Sequence, residues 1–138
     1  MTPLKIGACL KSTEIENHRD WLFDSARDIE IQDFMSHEAL STEFENRIAA
    51  VKAALDGHSG RIGIHGPFEG LDIDNKDAEL RPLITARFLK ALEAADRTEP
   101  ARWSCILRSR SGIRTTCSAF RAMPKPSLRA SMTFLTRS

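Results

Sequence analysis

The side chain best suited to chemistry is His65, which follows a short apolar run at residues 61–64 and precedes Gly66-Pro67-Phe68. Glycine and proline favour a turn there, so the imidazole is expected at the rim of the element that the run forms. A neutral imidazole is a common metal ligand and can act as an acid or base near neutral pH. The alternative is a histidine that only completes its hydrogen bonds within a loop.

A second polar group, Glu30, Gln32 and Asp33, lies at the end of an alternating run at residues 28–34. Side chains alternate along a strand, so Glu30 and Gln32 share one face. A polar pair on a buried strand could hold a substrate hydroxyl, whereas a solvated sheet edge would show the same residues. Cys9 lies in an earlier apolar run and is expected to be a small buried residue.

Both groups need parallel strands to bring them together, and the hydrophobic pattern predicts such strands. Runs typical of strands alternate with runs of helical spacing up to residue 97. This β-α-β-α-β-α order predicts a parallel sheet, in which chemistry is found at the carboxyl ends of the strands. A flavodoxin-like sheet would share the pattern. The predicted strands are residues 4–10, 28–34 and 61–64, and the predicted helices are residues 17–27, 41–55 and 80–95.

Local signals set the ends of the two later helices. Thr42 and Glu45 form a predicted capping box, and Gly57 is the predicted left-handed stop of that helix. Pro82 is tolerated only in a first turn, so the last helix should begin near residues 79–81. The side chains expected to face inward are Leu80, Leu83/Ile84, Phe88 and Leu92.

The charge distribution divides the 138 residues in two. Residues 1–97 contain 12 basic and 18 acidic residues, a net charge of −6, whereas residues 98–138 contain 8 basic residues and one acid, a net charge of +7. The periodicity also stops after residue 97. We therefore predict an α/β segment at 1–97 and a basic, Ser/Arg-rich, irregular or disordered tail at 98–138.

Composition excludes several classes of protein. A complete eight-fold barrel needs roughly 250 residues, more than are present. No run reaches the ~20 apolar residues of a membrane span. The three cysteines, Cys9, Cys105 and Cys117, are few and widely spaced. They indicate neither a disulfide framework nor a zinc motif, so a cytoplasmic location is expected.

About 97 residues resemble the sugar phosphate isomerase/epimerase family of the xylose isomerase-like TIM-barrel superfamily. The resemblance is carried by KIGACL at 5–10, IEIQDF at 29–34, IHGPFEGLDIDNKDAELR at 64–81 and RFLKALEAA at 87–95. The His-Gly-Pro-aromatic turn is its most specific part. The resemblance implies a partial (β/α)8 barrel made of the first three βα units.

The same resemblance implies a divalent metal and a small sugar or sugar phosphate substrate. His65 matches the family's strand-three histidine and would ligate metal or contact substrate, with Gln32 and Phe68 as further substrate contacts. The family's other ligands and its acid and base lie mostly on later strands. The chain is therefore expected to be inactive alone, not to hold the metal stably, and to self-associate through an exposed sheet edge.

The codons of the tail allow an explanation for why the sequence does not continue with the later strands that the family resemblance implies. In a frame shifted by two bases, Trp103–Cys105 would encode apolar residues if Ser104 has a TCN codon. Ile106 would encode His or Tyr because cysteine codons end in T or C. Synonymous codons exist for which this frame reads as a fourth strand ending in His-Ser-Pro-Phe. We therefore hypothesise a frameshift near residues 93–102, with out-of-frame sequence after it.

Two other functions stay open at this point. One is a small α/β module whose basic tail binds nucleic acid or an acidic partner, which would give steeply salt-dependent binding. The other is a fragment of an endonuclease-IV-like enzyme, although the acidic first 97 residues offer no DNA-binding face. Nucleic acid is therefore not the partner that we expect.

Overall fold

The computed structural model describes residues 6–68, 71, 75–98, 102–108 and 114–120. Three short strands form a parallel sheet in the order β1-β2-β3, and helices connect them, so the predicted α/β arrangement of three βα units is confirmed. In a flavodoxin-like sheet the first strand would lie between the second and third, so the observed order excludes that alternative. The strands are β1 (Ala8–Leu10), β2 (Ile29–Ile31) and β3 (Ile62–Ile64); the helices are α1 (Ser12–Ile15), α2 (Arg19–Phe23), α3 (Phe44–Ala54) and α4 (Leu80–Thr98), with a 3-10 turn at Glu16–His18.

The register of the sheet separates an apolar face from a polar one. Ile31 pairs with Leu10 on one side and Ile64 on the other, and all three pack into the core beneath the helices. The residue before each of them points the opposite way because side chains alternate. Cys9 and Glu30 therefore lie side by side on the face away from the helices.

Helix α3 buries the predicted stripe, since Phe44, Ile48, Val51 and Leu55 all lie in the core. Gly57 adopts φ 80°, as predicted for a left-handed stop. The predicted capping box is wrong, because the helix begins at Phe44 and its N-cap residue, Glu43, makes no side-chain capping bond.

Helix α4 begins at Leu80, which places Pro82 in the first turn as predicted. It continues to Thr98, beyond the predicted end, and Ala91, Ala94 and Ala95 are buried where it packs closely against the core. Two predicted inward residues are wrong: Leu80 and Leu83 are 43% and 51% exposed. Ile84 and Phe88 are buried, as predicted.

The first predicted helix, residues 17–27, is instead two short helices, α1 and α2, joined by a 3-10 turn. It starts earlier, at Ser12, passes through the 3-10 turn and ends at Phe23. Ile15 and Leu22 are its fully buried apolar residues. They lie seven positions apart, so the interrupted helix still presents one face to the sheet.

A hairpin lies within the segment for which the sequence predicts no regular element. Strands β4 (Arg102–Arg108) and β5 (Arg114–Phe120) pair antiparallel with Cys105 opposite Cys117, and β4 runs close to β3. Apart from this hairpin and Thr98 at the end of α4, the predicted irregular or disordered tail lies outside the described residues. Both strands of the hairpin contain aromatic and β-branched residues, including threonine. These residue types favour strands even where polar and apolar residues do not clearly alternate.

Across the described ranges, none of the helices is both long enough and apolar enough to cross a membrane.

Candidate functional site

The carboxyl ends of the three parallel strands bring the candidate side chains to one edge of the sheet. Cys9 on β1 is paired in register with Glu30 on β2. His65 follows β3 directly, and its backbone N–H donates to the Ile31 carbonyl at 2.8 Å, which extends the ladder by one step. Glu30 is therefore flanked by a residue from each neighbouring strand.

Glu30 and His65 form a close polar pair. Glu30 Oε1 lies 2.6 Å from His65 Nδ1, and His65 as a whole is only 8% exposed. When the carboxylate is ionised, Nδ1 carries the shared proton and the lone pair of Nε2 is bare. Nε2 is buried and has no hydrogen-bond partner within the part of the chain that the structure describes. This arrangement, a carboxylate that orients an imidazole, is common behind metal ligands and general bases.

Cys9 completes the cluster from the other side of Glu30. Its Sγ lies 3.8 Å from Glu30 Oε1, and the residue is exposed, so the expectation of a buried apolar cysteine is wrong. The pKa of the Cys9 thiol is raised to about 11. Desolvation is the larger cause, and the negative charge of Glu30 is the second. The free thiol is therefore protonated at neutral pH and serves as a weak donor to the carboxylate.

One donor atom from each of these three residues lies within 4.8 Å of the other two, which is close enough to hold a metal ion. The sequence alone indicates only His65 as a metal ligand. Cys9 and Glu30 occupy the central positions of adjacent strands, so strand alternation together with the register would have identified both.

A cleft of about 270 Å³ is connected to this cluster through Phe68, and none of the three cluster residues lines it. Gln32 and Phe68, the two other predicted substrate contacts, both line it, and the Phe68 ring meets the His65 imidazole edge to face at 5.4 Å between centroids. The structure thus brings the three predicted residues together, with His65 behind Phe68. The lining residues are Lys11, Gln32, Asp33, Met35, Ser36, Arg47 and Phe68.

Asp33 holds one wall of the cleft in place. It is buried, and its carboxylate accepts hydrogen bonds from the backbone N–H of Ser12 at 2.6 Å and from the Ser12 hydroxyl at 2.5 Å. Arg47 lies 3.8 Å from the same carboxylate and is paired more closely with Glu43, at 2.7 Å. These contacts identify Asp33 as a positioning residue, because its acceptor oxygens are already engaged.

Comparisons with known proteins bear on the fold. No family model matches the sequence, and no curated protein matches it. A solved structure described as the TTHB071 protein from Thermus thermophilus, soaked with ZnCl2, is similar over 94% of this chain, with a TM-score of 0.58 and 19% sequence identity. The chain spans 47% of that structure's length. At this identity the similarity supports the α/β fold and nothing about the chemistry.

Proposed function

We propose that this chain forms the metal-binding and substrate-binding portion of a sugar or sugar phosphate isomerase/epimerase-type barrel. The observation that carries the proposal is the Glu30–His65 pair, joined at 2.6 Å, with the His65 ring against Phe68, a residue that lines a cleft. Isomerisation and epimerisation of sugars move a proton or a hydride between neighbouring carbons. Such steps require an oriented acid–base group beside a bound polyol.

The cleft suits a small, anionic, hydroxylated ligand. Lys11 supplies positive charge to its lining, where Arg47 is paired with Glu43 and lies near Asp33. The Gln32 amide can both donate to and accept from a hydroxyl group. Phe68 offers an apolar surface for the carbon skeleton of a sugar. The cleft volume, about 270 Å³, is near the lower end of small-molecule sites, which favours a monosaccharide over a longer chain.

A divalent metal fits the donors at the strand ends. Glu30 offers a carboxylate and His65 an imidazole, and both are common metal ligands in proteins. A bound divalent cation would polarise a carbonyl or hydroxyl oxygen of the substrate. Before the metal binds, the hydrogen bond from Glu30 orients His65, and the Phe68 ring packs against the imidazole. The similar Thermus structure was soaked with ZnCl2, so zinc is a reasonable first probe.

The chain spans about half of the structural neighbour's length, and three parallel strands do not close a barrel. We therefore propose that the chain binds ligand without turning it over, and that exposed residues such as Leu80 and Leu83 promote self-association. We also propose a cytoplasmic location, whose reducing conditions would keep Cys9 a free thiol.

Ligand binding can be tested by NMR titration of the full chain with a panel of aldose and ketose phosphates. We expect shift changes centred on Gln32 and Phe68, and roughly tenfold weaker binding for Lys11→Met, since a charged hydrogen bond contributes ~1.5–3 kcal/mol. Lys52→Met, which removes an exposed lysine from α3, is the matched control and should bind as the parent does. Equal affinity of the Lys11 and Lys52 variants, or no response to any sugar phosphate at millimolar concentration, would refute the proposal.

A further inference from the structure

We infer that Cys9, Glu30 and His65 together form a binding site for a thiophilic divalent cation of the zinc class. The donors come from three consecutive strands and lie within 4.8 Å of one another. This assignment deepens the proposed function, on which its catalytic meaning rests, while the binding of the cation can be tested on its own.

The sulfur determines which metals the site prefers. A carboxylate and an imidazole alone would accept many divalent ions, but a thiolate favours zinc, cobalt or cadmium over magnesium and calcium, which prefer oxygen. Ionised Cys9 and Glu30 together carry two negative charges, which match one divalent cation, and the neutral His65 adds a third donor. Loss of the Cys9 proton on binding follows from replacement of that proton by the metal.

Of the donor pairs, the Cys9–Glu30 separation is close to that of an occupied site. With tetrahedral geometry and usual bond lengths, a thiolate sulfur and a carboxylate oxygen on one zinc ion lie about 3.6 Å apart. Cys9 Sγ and Glu30 Oε1 are 3.8 Å apart. The corresponding imidazole–carboxylate separation is about 3.3 Å. The His65–Glu30 distance of 2.6 Å must therefore open by a fraction of an ångström, which a small rotation of the Glu30 side chain achieves.

The cluster offers little resistance to the entry of a cation. In the described ranges, the only hydrogen bond that holds the His65 ring is the one to Glu30, and Nε2 has no partner. Binding through Nδ1 therefore breaks one hydrogen bond, moves the imidazole proton to Nε2 and releases the Cys9 proton. Three protein ligands also leave a fourth position open, as in catalytic zinc sites. The His65 ring contacts Phe68, which lines the cleft.

The experiment is a titration of the full chain with Co²⁺, with absorption spectra that report thiolate-to-cobalt charge transfer. It is done in a Cys105→Ser/Cys117→Ser background, so that Cys9 is the single cysteine. We expect one equivalent of Co²⁺ to produce the charge-transfer band, Zn²⁺ to displace it and excess Mg²⁺ to leave it unchanged. Cys9→Ser should abolish the band, and Glu30→Gln and His65→Gln should each weaken Zn²⁺ binding by about tenfold or more.

Circular dichroism of each variant, measured without metal, identifies any variant that fails to fold, and the binding comparison uses those that fold. Absence of the band in the folded parent, or its persistence in Cys9→Ser, would overturn the inference. Failure of the proposed function gives a different result: Co²⁺ binds through Cys9, and no sugar phosphate perturbs the cleft. Binding of sugar phosphate without the cobalt band would overturn the metal site alone.

Discussion

Asp33, just beyond the end of β2, receives both the backbone N–H and the hydroxyl of Ser12 at the start of α1, at 2.6 and 2.5 Å. Both residues are buried, so the two hydrogen bonds tie the loop after β1 to the end of β2. This connection fixes the position of Lys11 relative to Gln32, and hence the shape of the cleft between them.

Replacement of Ser12 by alanine should lower the free energy of unfolding by about 1–3 kcal/mol, since it removes one partner of a buried charged acceptor. Urea denaturation would measure the change. Ser25→Ala, which removes an exposed hydroxyl from a turn, is the matched control and should stay within about 0.5 kcal/mol of the parent. Equal stability of the two variants would show that the bond from the Ser12 hydroxyl to Asp33 contributes nothing.

A second long-range contact joins α3 to α4. Both terminal nitrogens of Arg97 donate to the Glu45 carboxylate, at 2.6 and 2.7 Å. The hydrogen bonds from Arg97 hold the pKa of Glu45 below its usual value of 4.5. A lowered carboxyl pKa stabilises the folded state above the usual pKa, and this contribution is lost as the pH falls through the lowered one.

We therefore expect Glu45→Gln to destabilise the chain at neutral pH, with the difference from the parent narrowing in acid. Thermal unfolding between about pH 7 and about pH 3 would measure it. The effect should be small because the pair is exposed to solvent. In an Arg97→Met background, the stability difference between Glu45→Gln and its parent should become nearly independent of pH. If that difference still changes with pH to the same extent, a group other than the Glu45–Arg97 pair is responsible.

Two glycines should respond differently to alanine. A Cβ on Gly7 would lie 2.5 Å from the Asp28 carbonyl oxygen, where the chain enters the sheet, so Gly7→Ala must push β1 away from β2. We expect a loss of about 1–3 kcal/mol in unfolding free energy. Gly57 has open space around it but a positive φ, so Gly57→Ala should cost about 1–2 kcal/mol. Hydrogen exchange would separate the two, with faster exchange of β1 amides expected in the Gly7 variant only.

The coding DNA tests the frameshift hypothesis for residues 98–138. We expect the frame shifted by two bases to stay open beyond the codon for Trp103 and to encode an apolar strand that ends in His or Tyr. Sequencing across the codons for residues 93–102, in several independent isolates, is the measurement. An early stop codon in the shifted frame would refute the hypothesis.

The sequence predicts the sheet and its helices well where the signals are local. Burial of Phe44, Ile48 and Val51 follows from helical spacing, and the left-handed Gly57 follows from the chemistry of helix ends. The predicted capping box is wrong because a tertiary contact engages one of its residues. Glu45, the predicted capping residue, binds Arg97 instead, and the helix begins at Phe44.

The sequence predicts only part of the site, for a related reason. His65, Gln32 and Phe68 follow strand ends, and strand ends can be read from periodicity. The roles of Cys9 and Glu30 depend on which face of each strand meets the helices and on which strands are neighbours. Neither is fixed by local spacing, so the apolar run around Cys9 predicts a core residue where the structure has an exposed thiol.

The order of the strands in the sheet is also their order of synthesis. Each βα unit adds its own donor, Cys9, then Glu30, then His65, beside the one before it. A nascent chain that has emerged from the ribosome as far as residue 65 therefore already carries all three donors. On this account a cation could begin to act as a template for the growing sheet before the last helix exists.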